Sequence, residues 1–461
     1  MSAEINEIAM DYTPDFEELN ELLENKQLLK LKNLMAEMNE YDVAAFIEEL
    51  DSEKSILVFR LLQKDTASDV FAYLPSDKQE HIIKFTNDED LKDMIEELFV
   101  DDVVDLLEEL PATVVRRILQ NANPSKRKLI NQFLQYPESS AGSIMTAEYV
   151  ALKKGMTVAG ALDYIRKNGV DKETVYNCYV TDMSRHLEGV VTLKDLVMSS
   201  ADVLIEDIMD TNVLRCVTTD PQEDVARMFT DYDLLALPVV DQEVRIVGIV
   251  TVDDAVDVME EEATEDIEKM AAVTPSEKPY LKTGVWETWK SRIPWLMLLM
   301  ISATFTESII KGYEDSLAKA VILTSFIPML MGTGGNSGSQ ASVSVIRSMS
   351  LNDIEFADFF RVVWKELRVS LLCGVSLAII TFFKVALIGD SGGITVALVV
   401  ALAVLLTVVF AKLIGCMLPM LAEKVGLDPA VMASPFITTL VDAISLVIYF
   451  KIACALIPQL W

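Results

Sequence analysis

Gly332-Thr333-Gly334-Gly335-Asn336-Ser337-Gly338-Ser339-Gln340 lies deep in the C-terminal third of this chain, inside apolar sequence and just after Pro328. Four glycines in nine residues weaken a helix, so the stretch reads as a loop. In a bilayer every backbone amide and carbonyl needs a partner. Irregular chain at that depth is tolerated only where protein packs around it or a polar cavity runs beside it. An ion path is the simplest such cavity. A lone carboxylate, Asp442, stands in the last hydrophobic segment, where an intramembrane charge costs about 2.5–3.5 kcal/mol by insertion scales and marks function by default. Thr438, Thr439 and Ser445 fall at helical spacings about it, which predicts a polar stripe with Pro435 near the helix start. Glu307, with Thr304, Thr306 and Ser308, is a second candidate at the outer mouth.

Around these residues the hydrophobic pattern predicts five spans: 293–310, 317–349 through the glycine loop, 369–388, 393–421 and 432–457. Arg347, Arg361, Lys365 and Arg368 occupy the loop between the second and third spans, and Lys424 the turn between the fourth and fifth. The opposite side holds Lys311 and Lys319, with no basic residue in Gly389 to Gly392. This bias favours a cytoplasmic N-terminus and places Gln459-Leu460-Trp461 outside. Met1-Ser2-Ala3-Glu4-Ile5-Asn6-Glu7 is acidic and does not read as a signal peptide.

Charge divides the chain in two. Residues 293–461 carry 11 acidic and 10 basic side chains; residues 1–292 carry 60 and 29, a net of −31. That excess repels nucleic acid and anionic lipid and attracts multivalent cations. Cys178, Cys216, Cys373, Cys416 and Cys454 are scattered without metal spacing, as expected in a reducing compartment. With only His81 and His186, a His-based triad or a zinc protease site is excluded, whereas hard, oxygen-liganded metals fit.

Residues 14–136 predict short helices in a stacked array, with Phe46–Leu50, Val70–Pro75 and Leu106–Pro111 as a recurring helix-ending element. Asp101 and Asp105, at i and i+4, share a helix face, which is either a solvated surface or a pair of ligands. A second repeat is sharper. Ser143-Ile144-Met145-Thr146 is echoed by Asp207-Ile208-Met209-Asp210, and Gly189-Val190-Val191-Thr192-Leu193-Lys194-Asp195 by Gly248-Ile249-Val250-Thr251-Val252-Asp253-Asp254. Two units of about 60 residues therefore stand in tandem over 137–256 and resemble a pair of CBS domains, a βαββα fold that often holds an adenine nucleotide in its cleft. Thr192 with Asp195, and Thr251 with Asp254, resemble its ribose and phosphate contacts; such a pair equally caps the helix that follows. From Asp254 to Met270 no Gly or Pro intervenes, and Asp254, Asp257, Glu261, Glu265 and Glu268 form one acidic stripe of a connecting helix. Like charges at this spacing destabilise the helix unless a cation bridges them.

The order of these parts is similar to that of the MgtE family of magnesium transporters over essentially the whole chain, with the glycine segment and the run Leu427-Asp428-Pro429-Ala430, Pro435-Phe436, Asp442 as its specific matches. The resemblance implies a multidomain fold: an all-α helical-repeat N domain (1–136), an α/β tandem CBS pair (137–256), an acidic connecting helix and linker (257–290), and an all-α membrane domain of five helices (291–461). It implies a homodimeric, Mg²⁺-selective channel in the cell membrane, not an enzyme, which closes when Mg²⁺ fills sites between its cytoplasmic domains. Asp442 would be the pore carboxylate, one from each chain matching a divalent ion. Gly332, Gly335, Asn336, Gln340, Thr438 and Thr439 would line the pore around a mostly hydrated ion. Asp428 would sit at the cytoplasmic entrance facing the connecting helix. Sensor ligands carry over to Asp101, Asp105, Glu223, Asp233, Asp254, Asp257, Glu262, Glu265 and Asp266. A nucleotide, ATP if the site is kept, would lie near Tyr176, Lys194, Asp195 and Leu234. The alternatives are a secondary transporter of Mg²⁺, Co²⁺ or Mn²⁺, a CBS-regulated membrane enzyme, and a non-transporting sensor. The enzyme is disfavoured because the glycine segment lacks the Lys-Ser/Thr ending of a phosphate-binding loop.

Overall fold

The computed structural model describes residues 16–276, 280–388, 393–432 and 434–457. The readings placed on Met1–Glu7, on the turn 389–392 and on Gln459–Trp461 lie outside them. The chain divides into two compact units, one ending at Met259 and the other beginning at Glu260.

The first unit opens with ten described helices of eight to ten residues, from Phe16–Glu24 to Pro124–Phe133. Helices this short are marginal alone, so their stability comes from the face each buries against its neighbours. Leu31, Phe46, Ile47, Val70, Ile83, Leu91, Val103, Ile118 and Ile130 form one continuous apolar core. Starts are set by side chains: Asn39, Asp51, Asn87 and Asn123 accept hydrogen bonds from first-turn amides. The recurring endings do terminate helices. Leu50, Leu74 and Leu110 are buried, and the next helix begins within two residues, after Asp51, Pro75 or Pro111. Asp101 and Asp105 lie on α1 (Val100–Glu109), whose Val100, Val103, Val104, Leu106 and Leu107 face the core.

Two three-stranded sheets follow with matched topology. In the first, β1 (Val150–Leu152) pairs parallel with β2 (Asn177–Thr181), which pairs antiparallel with β3 (Leu187–Thr192). In the second, β4 (Cys216–Val217), β5 (Ala236–Val240) and β6 (Ile246–Thr251) repeat that order. The Ile-Met motifs cross between copies: Thr146 bridges Ile249 of β6, and Asp210 bridges Val190 of β3. Gly248 is required there, because a Cβ would lie 2.7 Å from the Met145 sulfur and 2.6 Å from the Thr146 carbonyl. Each copy thus seals the sheet of the other.

From β6 the chain enters α2 (Val252–Met270), a 19-residue helix that begins in the first unit and ends in the second. The second unit is otherwise helical: α3 (Val285–Gly312), α4 (Ile327–Ser350), α5 (Phe359–Ile388), α6 (Gly393–Lys424) and α7 (Ser434–Leu456). Among the described residues four helical segments are long and apolar enough to cross a membrane, which makes this a multi-pass membrane protein: Val285–Gly312, Phe356–Leu387, Gly393–Lys424 and Pro429–Leu456. The fifth long helix, α4, has 24 residues, and its Gly, Ser, Asn and Gln content lowers its hydropathy below the others. α6 is central, packing against α4, α5 and α7. The buried Tyr449 of α7 donates to the Leu323 carbonyl at 2.9 Å, satisfying the short 3₁₀ turn Val321–Phe326 that leads into α4.

Here the loop expectation is overturned. The glycine segment is continuous helix, with Pro328 in its first turn and the Ser337 hydroxyl donating to the Thr333 carbonyl at 2.7 Å. Glycine's poor helix propensity is outweighed because a helix satisfies every backbone group within the segment, as lipid demands. The small residues serve close approach instead. A Cβ on Gly415 of α6 would lie 2.3 Å from the Gly338 carbonyl oxygen, and one on Gly334 would meet Thr407, Val441 and Ser445 at 2.8–2.9 Å.

Candidate cation route and regulatory carboxylates

In the membrane unit, α4 and α7 bring together Asn336, Gln340 and Thr438. They line an open cavity of about 830 Å³ with Ser339, Glu366 of α5 and Lys412 of α6. Gly335 supplies room, since a Cβ there would touch the Thr438 methyl at 3.0 Å. Gly332 has no neighbour that a methyl would meet, and Thr439 lies on α7 outside the cavity lining. The predicted hydroxyl stripe is turned inward. Thr438 and Thr439 both donate to the Pro435 carbonyl at 2.9 Å, and Ser445, 1% exposed, donates to Val441 at 2.6 Å. Ser445 is a packing residue against Gly334, because the α4–α7 seam leaves it no solvent.

Asp442 is half-buried on α7, is not in the cavity wall, and makes no hydrogen bond or ion pair among the described residues. Glu307 is instead paired with Lys311 at 2.5 Å on an exposed face of α3, so a local i,i+4 partner already accounts for it. Sequence reading missed Glu366 and Lys412. Their signal was available as charges within or beside apolar helices, of the same kind that singled out Asp442.

At the end of α2, Lys269 bridges two carboxylates, Glu265 at 2.6 Å and Asp428 at 2.7 Å. Burial lowers the lysine's affinity for its proton, but hydrogen bonds to Asp428 and Glu265 outweigh it and raise the pKa. The other Asp428 oxygen accepts from the Ala430 amide at 2.8 Å and starts the 3₁₀ turn Pro429–Met432. Asp266, on the same helix end, is pushed up by burial and by the Asp428 charge, with Glu262 and Glu265 adding smaller repulsions.

In the first unit, the carboxylates of α1 face those of the CBS pair. Burial holds Asp101 well above the ordinary carboxylate range, and Asp102, Asp254, Glu173 and Glu148 add repulsion; its Oδ1 is buried without a hydrogen-bond partner. Asp102 and Asp254 are each raised to about 6, and Glu173 to about 7, in every case first by burial. Glu148 and Glu173 were not foreseen, because they come from irregular chain flanking β1 and β2. Asp105 and Asp257 are exposed. Glu223 and Asp233 do not converge: they occupy opposite ends of the helix Gln222–Tyr232, about 15 Å apart by helical rise, with Glu223 paired to Arg227 at 2.8 Å and Asp233 as its left-handed cap (φ 51°). Among the described residues no three carboxylate, thiol or imidazole groups close on one point as a preformed metal cage.

At the strand-to-helix junctions the capping reading holds within the chain. Thr192 and Asp195 form a reciprocal box, with the Asp195 amide 3.1 Å from the Thr192 hydroxyl and the Thr192 amide 3.2 Å from the Asp195 carboxylate. Thr251 donates to Asp254 at 2.7 Å in the second copy. Tyr176 and Lys194 are exposed, and Leu234 packs against the core.

Comparison with known proteins agrees along the chain. Residues 38–139 match the MgtE intracellular N domain, 141–202 and 205–261 the CBS domain, and 327–452 a family described as divalent cation transporter. A magnesium transporter MgtE of Thermus thermophilus is 37% identical over 94% of this chain and 97% of its own length, and one of Enterococcus faecalis 35% identical over 94% and 95%. A crystal structure of the cytosolic domain of the Mg²⁺ channel MgtE in complex with ATP aligns with a TM-score of 0.50 at 37% identity, over 52% of this chain and 98% of that one. The soluble part of a magnesium transporter aligns at 0.51 and 33%, over 54% and 98%.

Proposed function

Because this chain belongs to the MgtE family of magnesium transporters, and is a transporter and not an enzyme, we propose that it is a homodimeric, Mg²⁺-selective channel of the cell membrane that cytoplasmic Mg²⁺ closes. Asp442 carries the reading: a carboxylate on an apolar helix, without a partner among the described residues, beside a helix seam held by glycines. Lipid would not tolerate it, and a second copy across a two-fold axis brings a formal −2, which suits one divalent ion. Asn336, Gln340 and Thr438 offer oxygens to the water shell that Mg²⁺ gives up reluctantly. The N-terminal half lies in the cytoplasm and the C-terminus outside, in keeping with the basic loops.

Regulation follows from the crowded carboxylates. At low Mg²⁺ the charges of α1 and the CBS pair repel one another, and the acidic face of α2 does the same. Mg²⁺ at Asp101, Asp105, Asp254 and Asp257, and at Glu262, Glu265 and Asp266, offsets that repulsion; Glu223 and Asp233 act at separate places. Moving a gate from 1:99 to 99:1 takes about 5.5 kcal/mol of differential binding, which several weak sites supply together. The Lys269–Asp428 contact supports a coupling from α2 to the start of α7. An adenine nucleotide would use Tyr176, Lys194, Asp195 and Leu234; that a similar cytosolic domain forms a complex with ATP supports nucleotide binding as such.

Purified protein in liposomes tests this. Mg²⁺ flux should appear as resolved unitary currents with Mg²⁺ as the sole permeant ion, and Asp442→Ala should abolish it while leaving the protein folded. Undiminished flux in that variant would remove Asp442 from the route; smooth, slow flux in the wild type would make the protein a carrier.

A further inference from the structure

Lys412 stands within α6, the most apolar of the four candidate spans among the described residues, and is only 6% exposed. It makes no hydrogen bond or ion pair among the described residues. An ammonium there is costly unless a polar space receives it. The 830 Å³ cavity is that space, and Glu366 lines it too. The Glu366 Oε2 atom is shut off from solvent and has no hydrogen-bond partner. One cation and one anion thus line the same cavity without forming an ion pair, and its formal charge is zero.

We propose that Lys412 is a specificity-determining residue of the cation route: with Glu366 it keeps the cavity electroneutral, so that a divalent ion is held by the oxygens of Asn336, Gln340 and Thr438 weakly enough to leave. The proposal rests on the transport reading above. Conduction requires binding that admits the ion without trapping it. A cavity of net −1 in a low-dielectric wall would hold a dication as a trap, and one of net +1 would turn it away.

The test measures Mg²⁺ flux against Mg²⁺ concentration for the full-length chain in liposomes. Lys412→Met should lower the half-saturating concentration about tenfold or more and cut maximal flux several-fold, and Glu366→Gln should raise the half-saturating concentration by a similar factor. The double variant should return to within about threefold of wild type, and Lys412→Arg, which keeps the charge, should stay there too. Unchanged half-saturation in Lys412→Met overturns the proposal, as does a double variant no better than the worse single one. If Lys412→Met does not fold, Glu366→Gln decides: no rise in its half-saturating concentration is equally fatal. These outcomes separate from the broader reading, because a wild type that moves no Mg²⁺ defeats the channel itself, whereas Asp442→Ala silent beside unaltered Lys412 variants defeats only this inference.

Discussion

The α4–α6–α7 seam and the α1–CBS interface solve opposite problems. In the seam, glycines and small hydroxyl residues let backbones touch; the hydroxyls of Ser337, Thr438 and Ser445 donate to carbonyls three or four residues back, whereas the buried Ser342 and Thr407 hydroxyl oxygens have no hydrogen-bond partner among the described residues. At the interface, Asp101, Asp102, Glu173 and Asp254 crowd one another and rise in pKa mainly through burial. The glycine contacts of the first region involve no titratable side chain, although Lys412 and Asp442 stand on the same helices, so the fit there is set by shape. The second stores repulsion that a proton or a cation relieves. The regulated channel proposed above would use both: close-packed helices that hold the route, and carboxylates that respond to cations.

The comparison breaks most sharply at Gly415. Gly415→Ala forces a methyl against the Gly338 carbonyl, and backbone cannot yield as a side chain does; a loss of about 1–3 kcal/mol, read as a lower thermal midpoint in detergent, is expected. Gly332→Ala, whose Cβ meets nothing, should stay within about 0.5 kcal/mol. Equal losses at both positions would show that the seam is not a close-packed frame.

Acidification sharpens the other side. Because the interface carboxylates have folded-state pKa values raised to about 6 and about 7, the folded protein binds their protons more tightly than the unfolded chain does. Stability is therefore gained as pH falls through those values, is complete below the ordinary carboxylate pKa of about 4, and is lost as pH rises again. Without Mg²⁺, the thermal midpoint should rise by roughly 3–8 °C between pH 8 and pH 6, and the extra stabilisation given by Mg²⁺ should shrink over the same interval. A flat profile, or one in which the Mg²⁺ effect grows at pH 6, would mean that the interface carboxylates are not strained.

The smallest effect concerns the link at the end of α2. Lys269→Met removes a partly exposed ion pair to Asp428, worth up to about 1 kcal/mol, so the Mg²⁺ concentration that half-closes the proposed channel should shift by no more than about fivefold. Patch recordings against internal Mg²⁺ would detect it. No shift would leave the contact a surface pair without a part in gating.

Much of this molecule is legible from residue order. The tandem motifs 59 and 64 residues apart specify two like sheets, because each Gly-x-x-Thr strand end and each Ile-Met pair has one structural use. Four of the five expected spans follow from hydropathy, the glycine-rich α4 being too polar, and Asp442 follows from the cost of a charge among apolar residues. Other features depend on neighbours far away in sequence. The glycine segment's helical state was decided by backbone satisfaction and by contact with α6 and α7, which outweigh local propensity. Glu148 and Glu173 join Asp101 only because the helical array and the CBS pair pack together. Glu366 and Lys412 acquire a shared cavity only when α5 and α6 are set beside α4. Composition and period act through local geometry and solvent, which the chain itself carries; burial, crowding and electroneutrality belong to pairs of groups, and the fold alone chooses the pairs.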